Sequence, residues 1–143
     1  ILVKAAKFFD LFHIDESTTR IKLLKVWKTI LQFVTEKYTQ RTGHEFSWGF
    51  GFVFSEDAAA QCKSVGNGSS YYLLLNPVGA DGKIKYSINN KEDLSSLIVF
   101  ACHEAAHVAC LRHSEIFAST LTYLMVDTLK DINELFRQIK ENK

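Results

Sequence analysis

The chain has 143 residues, 47% hydrophobic and 23% charged, with a formal net charge of +1. This is the composition of one soluble globular domain around one core. The near-neutral balance excludes a general attraction to nucleic acid or to anionic membrane. It leaves a local lysine stripe, or flanking sequence, as the route to nucleic acid.

Cys62, Cys102 and Cys110 are an odd set without framework spacing, which argues against a disulfide scaffold and suits a reducing, intracellular compartment, cytoplasmic or nuclear. No run reaches the length of a transmembrane helix, and the start lacks a signal-peptide pattern, so no membrane partner is expected. The chain opens on Ile1 rather than Met, as a single domain (1–143) excised from a longer protein does.

In chain order, the apolar residues of 1–14 predict a short packing helix. Over 17–41, Ile21, Leu24, Trp27, Leu31, Val34 and Tyr38 recur at steps of three or four. Leu23, Val26, Ile30 and Phe33 form an adjacent stripe. A long helix is expected, capped by Ser17 or Thr18 and closed at Gly43. Lys22, Lys25 and Lys28 read as a solvated face, with nucleic-acid contact the lesser alternative. Residues 46–54 place Phe46, Trp48, Phe50, Phe52 and Phe54 at one parity, the pattern of a strand with one aromatic face. Residues 55–70 read as a variable connection. Tyr71–Leu75 and Ile84–Ile88 predict a β-hairpin. A helix from Lys91 to Leu111, N-capped by Asn90, follows. A last helical region runs from Ser114 toward Lys140, with a break near Lys130–Asp131. Helix, three strands, then helices is an α+β order.

The chemistry gathers at 103–113. His103-Glu104-Ala105-Ala106-His107 is H-E-x-x-H, and His113 follows six residues later. Histidines four apart share one helix face. At about 100° per residue, Leu94, Leu97, Ile98, Ala101, Ala105 and Val108 gather in a core sector, with His103 and His107 roughly opposite, facing a cleft. Three imidazoles with an open position suit a catalytic zinc, and a neighbouring carboxylate suits hydrolysis. His103, His107 and His113 are therefore the candidate metal ligands and Glu104 the candidate general base. For His113 to join, the chain must bend back past the helix end. Ser114, as the next N-cap, places it in that elbow. The elbow, Cys110–Ser114, contains no glycine to ease the bend.

The stretch from His103 through His113-Ser114-Glu115-Ile116-Phe117 resembles the H-E-x-x-H-x5-H-S/D-x-x-F pattern of the WLM and SprT-related minimal zincins. The resemblance is specific over 97–121 and architectural elsewhere. It implies a zincin-like fold with Zn²⁺ held by the three histidines, Glu104 as general base, and cleavage of protein or peptide substrates. In some members those substrates are proteins attached to DNA. The metzincin pattern has the same ligand spacing but places Gly where this chain has Cys110, and Met125 falls on an apparent helix as a core residue. Metzincin kinship is the weaker reading.

The expected activity is that of a zinc endopeptidase whose substrate pairs with an edge strand of the 71–88 hairpin. The alternative is a non-catalytic zinc-binding sensor or interaction module. Tyr71, Tyr72, Tyr86 and Tyr123 are open candidates for an oxyanion-stabilising hydroxyl. His13 and His44 read as surface residues, and Cys102 and Cys110 as small buried hydrophobes.

Overall fold

A computed structural model describes residues 14–143 apart from 56 and 67, with side chains from residue 18 onward. The expected helix over 1–14 lies outside these residues except for Ile14. The described chain is α+β. Helix α1 (Ile14–Thr42) leads to strands β1 (Ser47–Phe52), β2 (Ala60–Val65) and β3 (Ser70–Leu75). Helices α2 (Lys91–Ala106), α3 (Glu115–Lys130) and α4 (Ile132–Asn142) follow. Among the described residues, no helix is long and apolar enough to cross a membrane.

Helix α1 is the spine. Its two stripes merge into one wide buried face of Leu23, Val26, Trp27, Ile30, Leu31, Val34 and Tyr38, as a helix covered on several sides requires. Ile21, at the edge of that face, is exposed. The Trp27 indole Nε1–H donates to the Leu73 carbonyl at 3.1 Å in the interior, so the helix is pinned to the middle of the sheet. Gly43, at φ 72°, ends the helix in the left-handed conformation that glycine adopts without steric cost. Its N–H donates to the Thr39 carbonyl at 2.8 Å. Lys22, Lys25 and Lys28 are exposed, with Lys28 Nζ 5.4 Å from the Phe50 ring centre.

The sheet has the order β1-β3-β2. β3 lies in the centre, parallel to β1 and antiparallel to β2. The β1 strand is where its alternating aromatics place it. Two expectations fail here. Residues 55–70 are not merely a connection, because they contain β2. The predicted partner of β3, Ile84–Ile88, is not a strand. It is an extended segment whose Ile84, Tyr86 and Ile88 pack against the core, with a lone bridge between Val78 and Ile84. Both edges of β3 are already paired, so no hydrogen-bonding edge remains for it.

Helix α2 starts where expected, with the Asn90 side chain accepting from the Asp93 N–H at 3.0 Å. It stops at Ala106, short of the predicted Leu111. The break after Lys130 divides α3 from α4 as the sequence predicts. Arg41 on α1 grips Asp127 on α3 through two hydrogen bonds of 2.8 and 2.6 Å, and Lys37 pairs with Asp131. Leu124, Leu135 and Ile139 seat α3 and α4 on the core that α1 and α2 share.

Trp27→Phe keeps most of the ring volume and removes the buried donor. The expected cost is about 1–2 kcal/mol of folding stability, read as a lower urea midpoint at unchanged m-value.

Candidate metal centre

The three histidines converge. Each offers one nitrogen, and these three atoms lie within 4.8 Å of one another. His103 Nε2 and His113 Nε2 are 3.3 Å apart. Two ligand nitrogens of a tetrahedral centre with metal–nitrogen bonds of ~2.0–2.1 Å stand roughly 3.3–3.4 Å apart, so the spacing fits. Two lone pairs facing each other at that distance repel unless one nitrogen carries a proton or both face a cation. The group can therefore hold a metal ion.

The elbow that brings His113 back is built from short-range hydrogen bonds. After Ala106 the helix tightens, with His107, Val108 and Ala109 donating to the carbonyls of Glu104, Ala105 and Ala106 at 3.0–3.2 Å. His107 Nδ1 then meets the Cys110 carbonyl at 3.2 Å. A carbonyl only accepts, so Nδ1 carries the proton and Nε2 presents its lone pair to the centre. The Ser114 N–H donates to the Arg112 carbonyl at 2.8 Å, closing a tight turn around His113. Ser114 Oγ accepts from the Phe117 N–H at 3.3 Å, the N-cap expected of α3. Among the described residues no non-glycine residue has positive φ. The glycine-free elbow therefore forms without the left-handed conformation, and Cys110 is under no such strain. Cys110 is half-buried, with its thiol accepting from Ser114 Oγ at 3.2 Å. Cys102 is the fully buried one, 3.9 Å from Thr128 Oγ1.

Phe117 is the floor of the centre. Its ring stacks on His107 at 4.5 Å and meets His103 and His113 edge-on, both at 4.9 Å. It is 5% exposed, so it fixes three imidazoles by packing alone. Burial first, then the neighbouring imidazoles, lowers the pKa of His103 below its usual value. Burial also lowers that of His107, opposed by its bond to the Cys110 carbonyl. Both are neutral, as ligands must be, near pH 7.

Glu104 is 5% exposed, and burial alone pushes its carboxyl up to about 7. It lines a cleft of about 440 Å³ together with the three histidines, Leu111 and a stretch of β2. The β2 residues include Gln61, Cys62 and Lys63, which sequence reading passed over. Cys62 is a half-buried thiol pushed up to about 12, mainly by burial and secondarily by Glu104. Their sequence signal was the Gly66-Asn67-Gly68 turn, a hairpin mark between β2 and β3.

None of the four candidate tyrosines is among the residues that line this cleft. Tyr71 is buried against Phe46, Tyr86 meets Phe100, and Tyr123 lies under the Arg41 guanidinium. His44 is exposed as expected, 3.0 Å from the Tyr38 hydroxyl. His13 lies outside the described residues. Comparison with protein-family models, with curated proteins and with solved structures finds no match.

Phe117→Ala opens a space beneath all three imidazoles. The expected result is a loss of about 3 kcal/mol in stability and roughly 10–100-fold in metal affinity, measured by denaturation and by competition with a chromophoric chelator. Glu104 has a signature in the chelator-stripped chain. Its folded pKa is raised from 4.5 to about 7. The fold therefore binds the extra proton between those values, and loses stability as pH rises through them. Glu104→Gln removes that charge. It should stabilise the stripped chain above pH 7 by on the order of 3 kcal/mol and give no gain at pH 4. Equal gains at both pH values would mean that burial of the charge is not the cause.

Proposed function

We propose that the chain is a zinc-dependent endopeptidase of the minimal zincin kind. The observation that supports it best is the meeting of three features in one cleft. A three-imidazole group stands beside a buried carboxyl, and both lie under a strand whose outer edge is unpaired in the sheet. Three borderline nitrogen donors within 4.8 Å of one another, two of them 3.3 Å apart, suit zinc better than the hard cations that prefer oxygen. A zinc ion bound there supplies Lewis acidity, which brings the pKa of water toward ~7 and polarises a carbonyl.

The chain's own groups account for the rest. Glu104, adjacent in sequence to His103, has its carboxyl in the cleft, where it accepts the proton of the attacking water. It then returns that proton to the departing amine nitrogen. A buried carboxyl with a raised pKa is suited to both halves of that transfer. Phe117 and the His107–Cys110 bond hold the imidazoles in place, so little reorganisation is required during turnover. Leu111, 58% exposed on the cleft wall, offers apolar contact to a substrate side chain.

The edge strand is assigned differently from the sequence expectation. β3, from the predicted hairpin, is central and cannot accept a further strand. β2 lines the cleft and is paired only with β3. In this reading an extended peptide pairs with the outer edge of β2, with its carbonyl carried over the metal centre. Protein targets in DNA repair or regulation remain an implication of the family resemblance alone. A non-catalytic zinc module would share the three histidines, but it has no use for a buried carboxyl that destabilises the metal-free fold.

The test is Glu104→Gln with zinc bound. It should keep one zinc per chain by elemental analysis, while cleavage of unfolded protein substrates falls by at least about 10³-fold. Retained zinc with identical behaviour of both proteins would leave the non-catalytic module as the reading.

A further inference from the structure

Helix α3 has two faces of different character. Inward, Phe117, Thr120, Leu124 and Thr128 are buried. Outward, at about 100° per residue, Ala118, Ser119, Thr122, Val126 and Leu129 gather in one sector that begins at Glu115 and ends at Lys130. All of them are exposed, Val126 at 45% and Leu129 at 61%. The outward face of a surface helix ordinarily carries charge along its length. This one carries charge only at its two ends. Asp127, the other charged residue of α3, is turned to α1, where Arg41 takes both of its oxygens.

The face is also uneven. Its first half is low: the small side chains of Ala118, Ser119 and Thr122, with Glu115 and Tyr123, line a shallow depression of about 500 Å³. Its second half is raised by Val126 and Leu129. The Thr122 hydroxyl donates to the Ala118 carbonyl at 2.8 Å. Its proton is therefore satisfied within the helix, and covering it leaves no unmet donor.

We propose that this face is a two-fold interface with a second copy of the chain, the two α3 helices packed antiparallel. α3 spans 16 residues, or ~24 Å, with its midpoint between Thr122 and Tyr123. A two-fold axis there sets the raised half of each helix on the low half of the other, with Val126 beside Ser119 and Leu129 toward Ala118. The same operation places Glu115 of each copy beside Lys130 of the other, so the charges at the two ends are paired twice. One patch that complements itself in shape and in charge is what an isologous contact requires. Both charges are available. Glu115 forms no ion pair among the described residues. The Lys130 side chain is 67% exposed, with Nζ 3.9 Å from Asp127 Oδ1, an oxygen that Arg41 already holds. A parallel pair would set Glu115 against Glu115 and Lys130 against Lys130, and would align the helix dipoles that an antiparallel pair opposes. One helix face from each copy is smaller than the interface of a permanent dimer, so the pair dissociates on dilution, with a Kd on the order of 10–100 μM. Nothing in this interface depends on the endopeptidase reading.

The test is sedimentation equilibrium of the full chain from about 5 to 500 μM. The apparent mass should rise from one chain toward two across that range. Val126→Glu and Leu129→Glu change exposed positions. Each should weaken association at least about tenfold, with the melting temperature of the dilute protein unchanged. Glu115→Lys and Lys130→Glu should each weaken it about three- to tenfold, because each variant faces like charges in its own dimer. Mixing the two variants should restore association, as a dimer of one of each, since both end contacts then join opposite charges. A chain that stays monomeric at about 500 μM would overturn the proposal and leave the face to solvent or to a different partner. Association undiminished by Val126→Glu and Leu129→Glu would place the contact elsewhere. Association that the mixture does not restore would exclude the antiparallel arrangement.

Discussion

The hydrogen bond from His107 Nδ1 to the Cys110 carbonyl governs the geometry of the site. It forms just beyond the end of α2 and gives the Cys110 carbonyl, four residues past the last helical residue, a donor. It fixes the proton on one nitrogen of His107 and so turns the other toward His103. It also draws in the chain beyond the helix, so that His113 stands 3.3 Å from His103 rather than being carried off by a continuing helix. Phe117 then packs against all three rings from the first turn of α3. A single side chain is at once a member of the three-imidazole group and the hinge pin of the elbow.

The burial of Glu104 has the opposite character. Burial of Ala101, Ala105 and Ala106 in the core stabilises α2, whereas the charge of Glu104 works against the fold. Groups that cost stability in a cleft and have a pKa displaced toward neutrality mark sites of chemistry more often than of architecture. The bulk of the molecule supplies the rigidity that tolerates this. Trp27 ties the spine to the central strand, and Arg41 and Lys37 hold the last two helices against it.

How much of this was legible in the sequence follows from how local each signal is. Asn90, Ser114 and Gly43 mark helix ends through bonds spanning three or four residues, and all three are used as expected. The convergence of His103, His107 and His113 is legible for the same reason. The Lys130–Asp131 break is likewise local. Sheet pairing is not. Ala60–Val65 lacks the apolar alternation that announces a strand and has Val65 as its one branched residue, and its burial falls from half-buried Ala60, Gln61 and Cys62 to exposed Lys63, Ser64 and Val65. Ile84–Ile88 has the alternation without the pairing, since it packs as a half-buried extended segment. The turn at Gly66–Gly68, with both glycines at positive φ, was visible, but only a strand recognised before it could have made it a hairpin. The helix end at Ala106 was hidden because Val108, Ala109 and Leu111 continue an acceptable helical pattern, and only His107's side chain interrupts it.

The three histidines all fall within residues 103–113, whereas the cleft wall of β2 comes from some forty positions upstream. Closing a loop of ten residues costs little chain entropy and takes well under a microsecond. The centre can therefore gather its imidazoles as soon as α2 and the first turn of α3 exist, before β2 has found β3. Gathering the imidazoles and building the β2 wall of the cleft belong to different stages of assembly. A chain emerging from synthesis presents β2 and β3 before residues 103–113, so the strands of the sheet are available when the histidine corner forms. A refolding chain is free to take the other order, with the short histidine corner formed early and the remote strand closing on it later.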